Sequence, residues 1–199
     1  MEYSTSKFNY NPFAGVAREE VGDIIIPRFD IQPIVEKIKS TDSLLIELVG
    51  RQGRGKTTHL MYLQQQVTEF PIYYLKDKTD YYGEILNDAS DVIFIDSIHH
   101  LHIFQRINVF KTKRIVIFTT HYSRKHEYLL ARKSYLTIRF RGINKDILKQ
   151  LVLKRLQQAS ADEINISIND AELEHLISKY NDNYRAIINS LYDKFQTYE

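Results

Sequence analysis

Residues 50–57 read Gly-Arg-Gln-Gly-Arg-Gly-Lys-Thr, which fits the spacing GxxxxGK[ST]. Three of the chain's 7 glycines fall within this stretch, and such crowding marks backbone that must curl tightly. A curled segment turns successive N–H groups inward and forms a nest for anions. A helix opening at its end adds unpaired N–H groups and the positive end of its dipole. The chemistry implied is polyphosphate binding. Gly50, Gln52, Gly53, Arg54, Gly55, Lys56, Thr57 and Thr58 are the candidate contacts. Lys56 would neutralise β- and γ-phosphate charge, and the Thr57 hydroxyl would ligate Mg²⁺. A partner carboxylate is expected at the end of another buried strand. Asp91-Val92-Ile93-Phe94-Ile95-Asp96 supplies it. Four apolar residues place Asp96 at the C-terminal edge of a sheet, where open α/β sheets bind ligands.

Those groups need a strand before the loop and a helix after it. Apolar runs predict strands at Leu44–Val49, Ile72–Lys76, Val92–Ile95, Arg114–Thr119 and Tyr135–Phe140. Helices are expected at Ile31–Lys39, Lys56–Val67, Tyr81–Ala89, Ile98–Asn108 and Arg124–Arg132. Short buried strands alternating with helices imply a mostly parallel sheet covered on both faces. All four prolines lie in the first 71 residues, so later helices can run uninterrupted. Three are expected after Gly142: Asp146–Ala159, Asp170–Tyr180 and Asp182–Gln196. Asn169 or Asp170 would cap the second, and Asn181 or Asp182 the third. The expected organisation is an N-terminal arm at 1–23, an α/β nucleotide-binding core at 24–142 and a small helical lid at 143–199.

In motif content and order the chain resembles the AAA+ P-loop ATPases, especially the branch of origin-recognition proteins, clamp loaders and transposition ATPases. The resemblance covers about residues 24–197. It implies an α/β P-loop core followed by an all-helical lid, with ATP or ADP and Mg²⁺ as ligands. In that family a glutamate follows the strand-ending aspartate and polarises the attacking water. Here Ser97 stands at that place, in Ile95-Asp96-Ser97-Ile98-His99-His100-Leu101. A serine hydroxyl is a poor general base, so the departure weakens hydrolysis and leaves binding intact. Glu47, His99 and His100 are the nearby alternatives, each with an ordinary packing role as its competing explanation. His121 takes the family's sensor position at the end of the fourth strand, with Thr120 as the fallback. Arg132, before the fifth strand, resembles the arginine that reaches a neighbouring subunit's nucleotide; Arg124 is its alternative. Arg185, in Asn181-Asp182-Asn183-Tyr184-Arg185, matches the lid arginine that contacts nucleotide. Ile24–Arg28 resembles the segment lining the adenine pocket.

The chain has 199 residues, no cysteine and a net charge of +2. Disulfides, thiolate metal sites and thiol nucleophiles are excluded. No apolar run reaches the ~18 residues of a membrane span, so a soluble, cytoplasmic protein is expected. The small net charge conceals a strong segregation. Residues 101–155 hold 14 of the 27 Lys/Arg and two carboxylates, Glu127 and Asp146, while the remainder is acidic. That block would suit a DNA or RNA backbone, an acidic face of the next copy in a ring or filament, or solvent alone. Tyr122, Tyr128 and Tyr135 interleave with it and could stack on bases. The leading expectation is a Mg-ATP-binding, oligomerising ATPase that acts with nucleic acid. The alternative is a switch that binds ATP, hydrolyses it little and recruits a partner protein.

Overall fold

The structure is a computed structural model, and it describes residues 8–67, 69–76, 81–160, 169–181 and 183–196. In chain order the elements are α1 (Val21–Ile24), α2 (Gln32–Ser40), β1 (Leu44–Val49), α3 (Lys56–Gln65), β2 (Ile72–Tyr74), α4 (Tyr82–Asn87), β3 (Val92–Asp96), α5 (Ile103–Thr112), β4 (Ile115–Thr120), α6 (Lys125–Ala131), β5 (Tyr135–Arg139), α7 (Lys145–Ala159), α8 (Asp170–Tyr180) and α9 (Tyr184–Gln196). The chain divides into two compact units.

The larger unit, Phe29–Arg51 with Lys56–Phe140, holds the sheet. Five strands run in the order β2-β3-β4-β1-β5, and every pairing is parallel. Parallel strands need helical crossovers, which bury both faces. Alternate residues accordingly enter different cores. Leu44, Ile46, Leu48, Phe94 and Ile117 pack with α2 and α3. Leu45, Ile93, Ile95, Val116 and Phe118 pack with residues of α4, α5 and α6. The region expected as one helix at Ile98–Asn108 divides in two. A 3-10 turn covers Ile98–His100, and α5 starts afresh at Ile103. His102 caps that start, its N–H donating to Gln105 Oε1 at 2.8 Å.

The smaller unit comprises described residues of Met1–Arg28, Gln52–Gly55 and Arg141–Glu199. Its core joins Leu148, Val152, Leu173, Ile187 and Leu191 with Phe13 from the N-terminal segment. Phe8 and Phe13 both meet the Phe195 ring edge-on. The partly buried Arg155 guanidinium donates to the carbonyls of Pro12 and Ala14. Asn144 caps α7 and Asn169 caps α8. For α9 the cap acceptor is Asn183, which receives the Ala186 N–H at 3.1 Å. Asn181 instead ends α8 with a φ of 52°; Asp182 lies outside the described residues. No helix among the described residues is long and apolar enough to cross a membrane.

In the larger unit, α5 and α6 are joined by a buried ion pair. Arg106 donates to Glu127 through Nε at 2.8 Å and through its terminal nitrogen at 2.7 Å, and also to the Leu101 carbonyl. Removing one partner of such a pair strands a buried charge and costs about 3–5 kcal/mol. Glu127→Ala is therefore expected to lower unfolding free energy by that amount in urea melts. The double variant Arg106→Met/Glu127→Leu should recover most of the loss.

Candidate nucleotide site

Gly50–Thr57 has the backbone that the motif requires. Gly53 and Gly55 adopt φ values of 77° and 81°, which side-chain-bearing residues rarely tolerate. Gly50 is constrained differently: a Cβ there would lie 2.6 Å from the Phe140 carbonyl oxygen. Lys56 is buried, and its ammonium donates to the Arg51 carbonyl at 2.9 Å. Thr58 and Gln52 are exposed.

Asp96 ends β3 at partial exposure. Its Oδ1 accepts the hydroxyls of Thr57 at 2.9 Å and Thr119 at 2.7 Å. The Thr119 oxygen in turn accepts the Ser97 N–H at 2.8 Å. Thr119 has no place among the sequence candidates. Its signal was the register, which sets Ile95 opposite Phe118 and hence Asp96 beside Thr119. A threonine hydroxyl and a carboxylate side by side are hard oxygen donors of the kind Mg²⁺ selects, with phosphates and waters completing its shell. No cluster of three or more His, Asp or Glu among the described residues forms a protein-only metal cage.

Ser97 adopts a left-handed conformation with φ 63°. Its hydroxyl lies 3.5 Å from Asp96 Oδ2. Three imidazoles gather next to it. The His99 ring lies 4.4 Å from that of His100 and 4.7 Å from that of His121, tilted to both. The Nδ1 of His99 is buried with no hydrogen-bond partner. Burial, reinforced by His100, His121 and Arg124, pushes the His99 pKa down to about 4, against the opposing pull of Asp96. Burial and then Lys56 also lower His121, while a hydrogen bond to the Gly50 backbone and the Asp96 charge oppose the shift. His121 thus stands within electrostatic reach of Lys56 and Asp96. The fallback, Thr120, donates to the Tyr122 carbonyl at 3.1 Å.

Glu47 is fully buried. It accepts the Ser123 hydroxyl at 3.0 Å, the Thr137 hydroxyl at 3.0 Å and the Arg124 N–H at 2.8 Å. It also holds the Tyr128 hydroxyl, whose pKa rises through burial and this contact. The carboxylate is a brace for the β4–α6 turn rather than a base facing solvent. Arg132 lies exposed at the C-terminal end of α6, with φ 55°. Arg124 is drawn inward, 3.6 Å from Glu127. In the smaller unit, the Arg185 side chain is exposed while its N–H donates to the Gly53 carbonyl at 3.3 Å. A Cβ at Gly53 would collide with Asn183 at 1.9 Å.

The basic block is partly consumed inside the protein. Arg106 pairs with Glu127, Lys113 donates to the carbonyls of Asp88 and Ser90, and Arg114 donates to Thr41. At the surface, Lys145 pairs with Asp170 and Glu174 and Lys149 with Asp170, and Lys154 reaches the Ile25 carbonyl. Tyr128 is buried and cannot stack on bases; Tyr122 is 78% exposed.

Solved structures share this architecture. The Thermotoga maritima RuvB Holliday junction branch migration motor matches with a TM-score of 0.52 and 19% identity, over 83% of this chain and 61% of that one. The Aeropyrum pernix Orc1 protein, in complex with DNA, matches at 0.61 and 11% identity over 90% and 63%. The Aquifex aeolicus DnaA protein, bound to AMPPCP, matches at 0.53 and 11% identity over 81% and 57%. The fold is that of an AAA+ P-loop core. At these identities the likeness is one of AAA+ architecture, and the chain spans about three fifths of each AAA+ structure's length. No protein-family model and no curated protein sequence matches the chain.

The histidine cluster makes stability depend on pH. His99 carries a folded pKa of about 4 against an ordinary 6.5, so between those values the unfolded chain binds its proton more readily. Its contribution to stability is complete above pH 6.5 and is lost as pH falls through about 4. Thermal melts across that window should show a falling Tm, and His99→Asn should flatten the fall.

Proposed function

We propose that the protein binds Mg-ATP at Gly50–Thr57 and hydrolyses it slowly, coupling nucleotide state to association with other macromolecules. The observation that carries this reading is the meeting of the Thr57 hydroxyl with the Asp96 carboxylate at 2.9 Å, next to a buried Lys56. Lys56 supplies a fixed charge for the β- and γ-phosphates. Thr57 and Asp96 would hold Mg²⁺, which neutralises charge on the bridging phosphate oxygens when bound. His121 is the group that would donate a hydrogen bond to the terminal phosphate or to water. Arg185 is the lid's candidate contact to nucleotide, and ADP would occupy the same loop after turnover. Arg132, exposed where Arg124 is tied to Glu127, is the arginine available to a neighbouring copy in a ring or filament. Lys111, Lys125, Arg132, Arg139 and Arg141 remain exposed as the candidate DNA or RNA contacts of the basic block.

A second reading is favoured by Ser97. With Glu47 committed to four donors and no carboxylate after Asp96, the protein would act as a switch whose ATP-bound form recruits a partner protein. Calorimetric titration should detect ATP binding in the presence of Mg²⁺, weakened at least about tenfold in Lys56→Ala. Phosphate release should be slow in the natural chain, absent in Lys56→Ala and faster in Ser97→Glu. Binding without turnover under any condition selects the switch; absence of binding rejects both readings. Gel shifts with DNA and RNA across salt concentrations test the basic segment, since a phosphate-backbone contact must weaken as salt rises.

A further inference from the structure

Arg28 ends the N-terminal segment of the smaller unit, and its guanidinium meets three other segments of that unit. One terminal nitrogen donates to the Arg141 carbonyl at 2.6 Å and to the Gly142 carbonyl at 3.0 Å. The other donates to the Arg54 carbonyl, inside the glycine loop, at 3.4 Å. The central carbon lies over the Tyr184 ring, 5.5 Å from its centroid. The Tyr184 hydroxyl accepts the Asn144 N–H at 3.2 Å, and Asn144 caps α7. One side chain thus touches the glycine loop, the chain entering α7 and the first residue of α9. Gly142 takes a φ of 54° at that entry, and the two carbonyl bonds brace the turn.

The loop is held from outside at two successive carbonyls. Arg28 takes that of Arg54, and the Arg185 N–H takes that of Gly53 at 3.3 Å. A trans peptide sends its C=O and the next N–H in opposite directions, and the described chain contains no cis bond. Binding these two carbonyls therefore turns the N–H groups of Arg54 and Gly55 to the other side, as an anion nest requires. The terminal nitrogens of Arg28 are directed at carbonyls, so the residue shapes the nest instead of adding a cation to it.

We propose that Arg28 is a positioning residue for the nucleotide: it bridges the Arg54 carbonyl to those of Arg141 and Gly142, and so ties the orientation of the loop peptides to the path into α7. The effect on affinity rests on the nucleotide-binding reading of Gly50–Thr57; the bridge itself forms without nucleotide. A ligand that orders the loop must stiffen the entry to α7 by the same coupling.

Amide exchange of the full chain without nucleotide tests the bridge. Arg28→Ala should speed exchange about tenfold in peptides covering 52–55 and 141–144, with β3 and β4 unchanged. Titration with Mg²⁺ and either ATP or inorganic tripolyphosphate tests the consequence. Both ligands should bind Arg28→Ala about tenfold more weakly. Tripolyphosphate has no base, so it separates a loop tether from a contact to adenine. Arg28→Lys keeps the charge, yet an ammonium lacks the fork that serves both sides at once, and it should behave as Arg28→Ala does. Should the alanine variant loosen β3 and β4 too, the lysine variant carries the comparison. Three results would overturn the proposal: unchanged exchange in 52–55, weaker binding of ATP alone, or affinity restored by lysine. A natural chain that binds neither ligand rejects the nucleotide reading, and the exchange result then decides the bridge.

Discussion

The Asp96 carboxylate joins two hydroxyls that arrive from different elements. Thr57 comes from α3, 39 residues earlier in the chain, and Thr119 from the end of β4. The strand order explains why both are needed. β4 lies between β1, which leads into the glycine loop, and β3, which ends in Asp96. A side chain at the end of β4 therefore spans the intervening position, and Thr119 is that residue. Parallel pairing brings all three strand ends to one edge, and that pairing in turn demands the helical crossovers that form both cores. Chemistry at the edge and packing in the interior thus answer to one constraint.

Around that carboxylate the unit handles its buried charges in two ways. Glu47 keeps its place by collecting hydroxyl and N–H donors, which fixes the turn that follows His121. Arg106 and Glu127 neutralise each other and hold α5 to α6. The histidines take the opposite course. Burial holds His99 and His121 below the ordinary imidazole range, so these two rings add polarity without adding positive charge near pH 7. A neutral imidazole can orient water or phosphate through one N–H, yet it cannot replace the charge of an absent carboxylate at position 97.

Much of this was legible in the sequence because it depended on local pattern. Apolar runs marked the strands, and the spacing of Gly50, Gly53, Gly55 and Lys56 marked the loop. What escaped notice depended on neighbours distant in the chain. Thr119 gains meaning only when β3 and β4 are set in register. The left-handed backbone at Ser97 goes with the N–H bond to Thr119, and a serine by itself does not announce it. The cap of α9 fell to Asn183 rather than Asn181 because Asn181 takes the turn out of α8. The charge count of residues 101–155 was incomplete for a similar reason, since it cannot distinguish a cation facing water from one holding a carbonyl.

Those carbonyl-holding cations gather where the strands begin. Lys113 serves Leu86, Asp88 and Ser90; Lys133 serves Lys113 and Arg114; Arg114 serves Thr41. Each bond closes a loop that feeds β1, β3 or β4. The sheet therefore has two chemically opposite rims, one where the Asp96 carboxylate gathers the Thr57 and Thr119 hydroxyls, the other closed by lysine and arginine on backbone carbonyls. Amine reactivity across the chain will follow that seam and not lysine density: an acylating reagent should modify Lys111 and Lys125 long before it reaches Lys113.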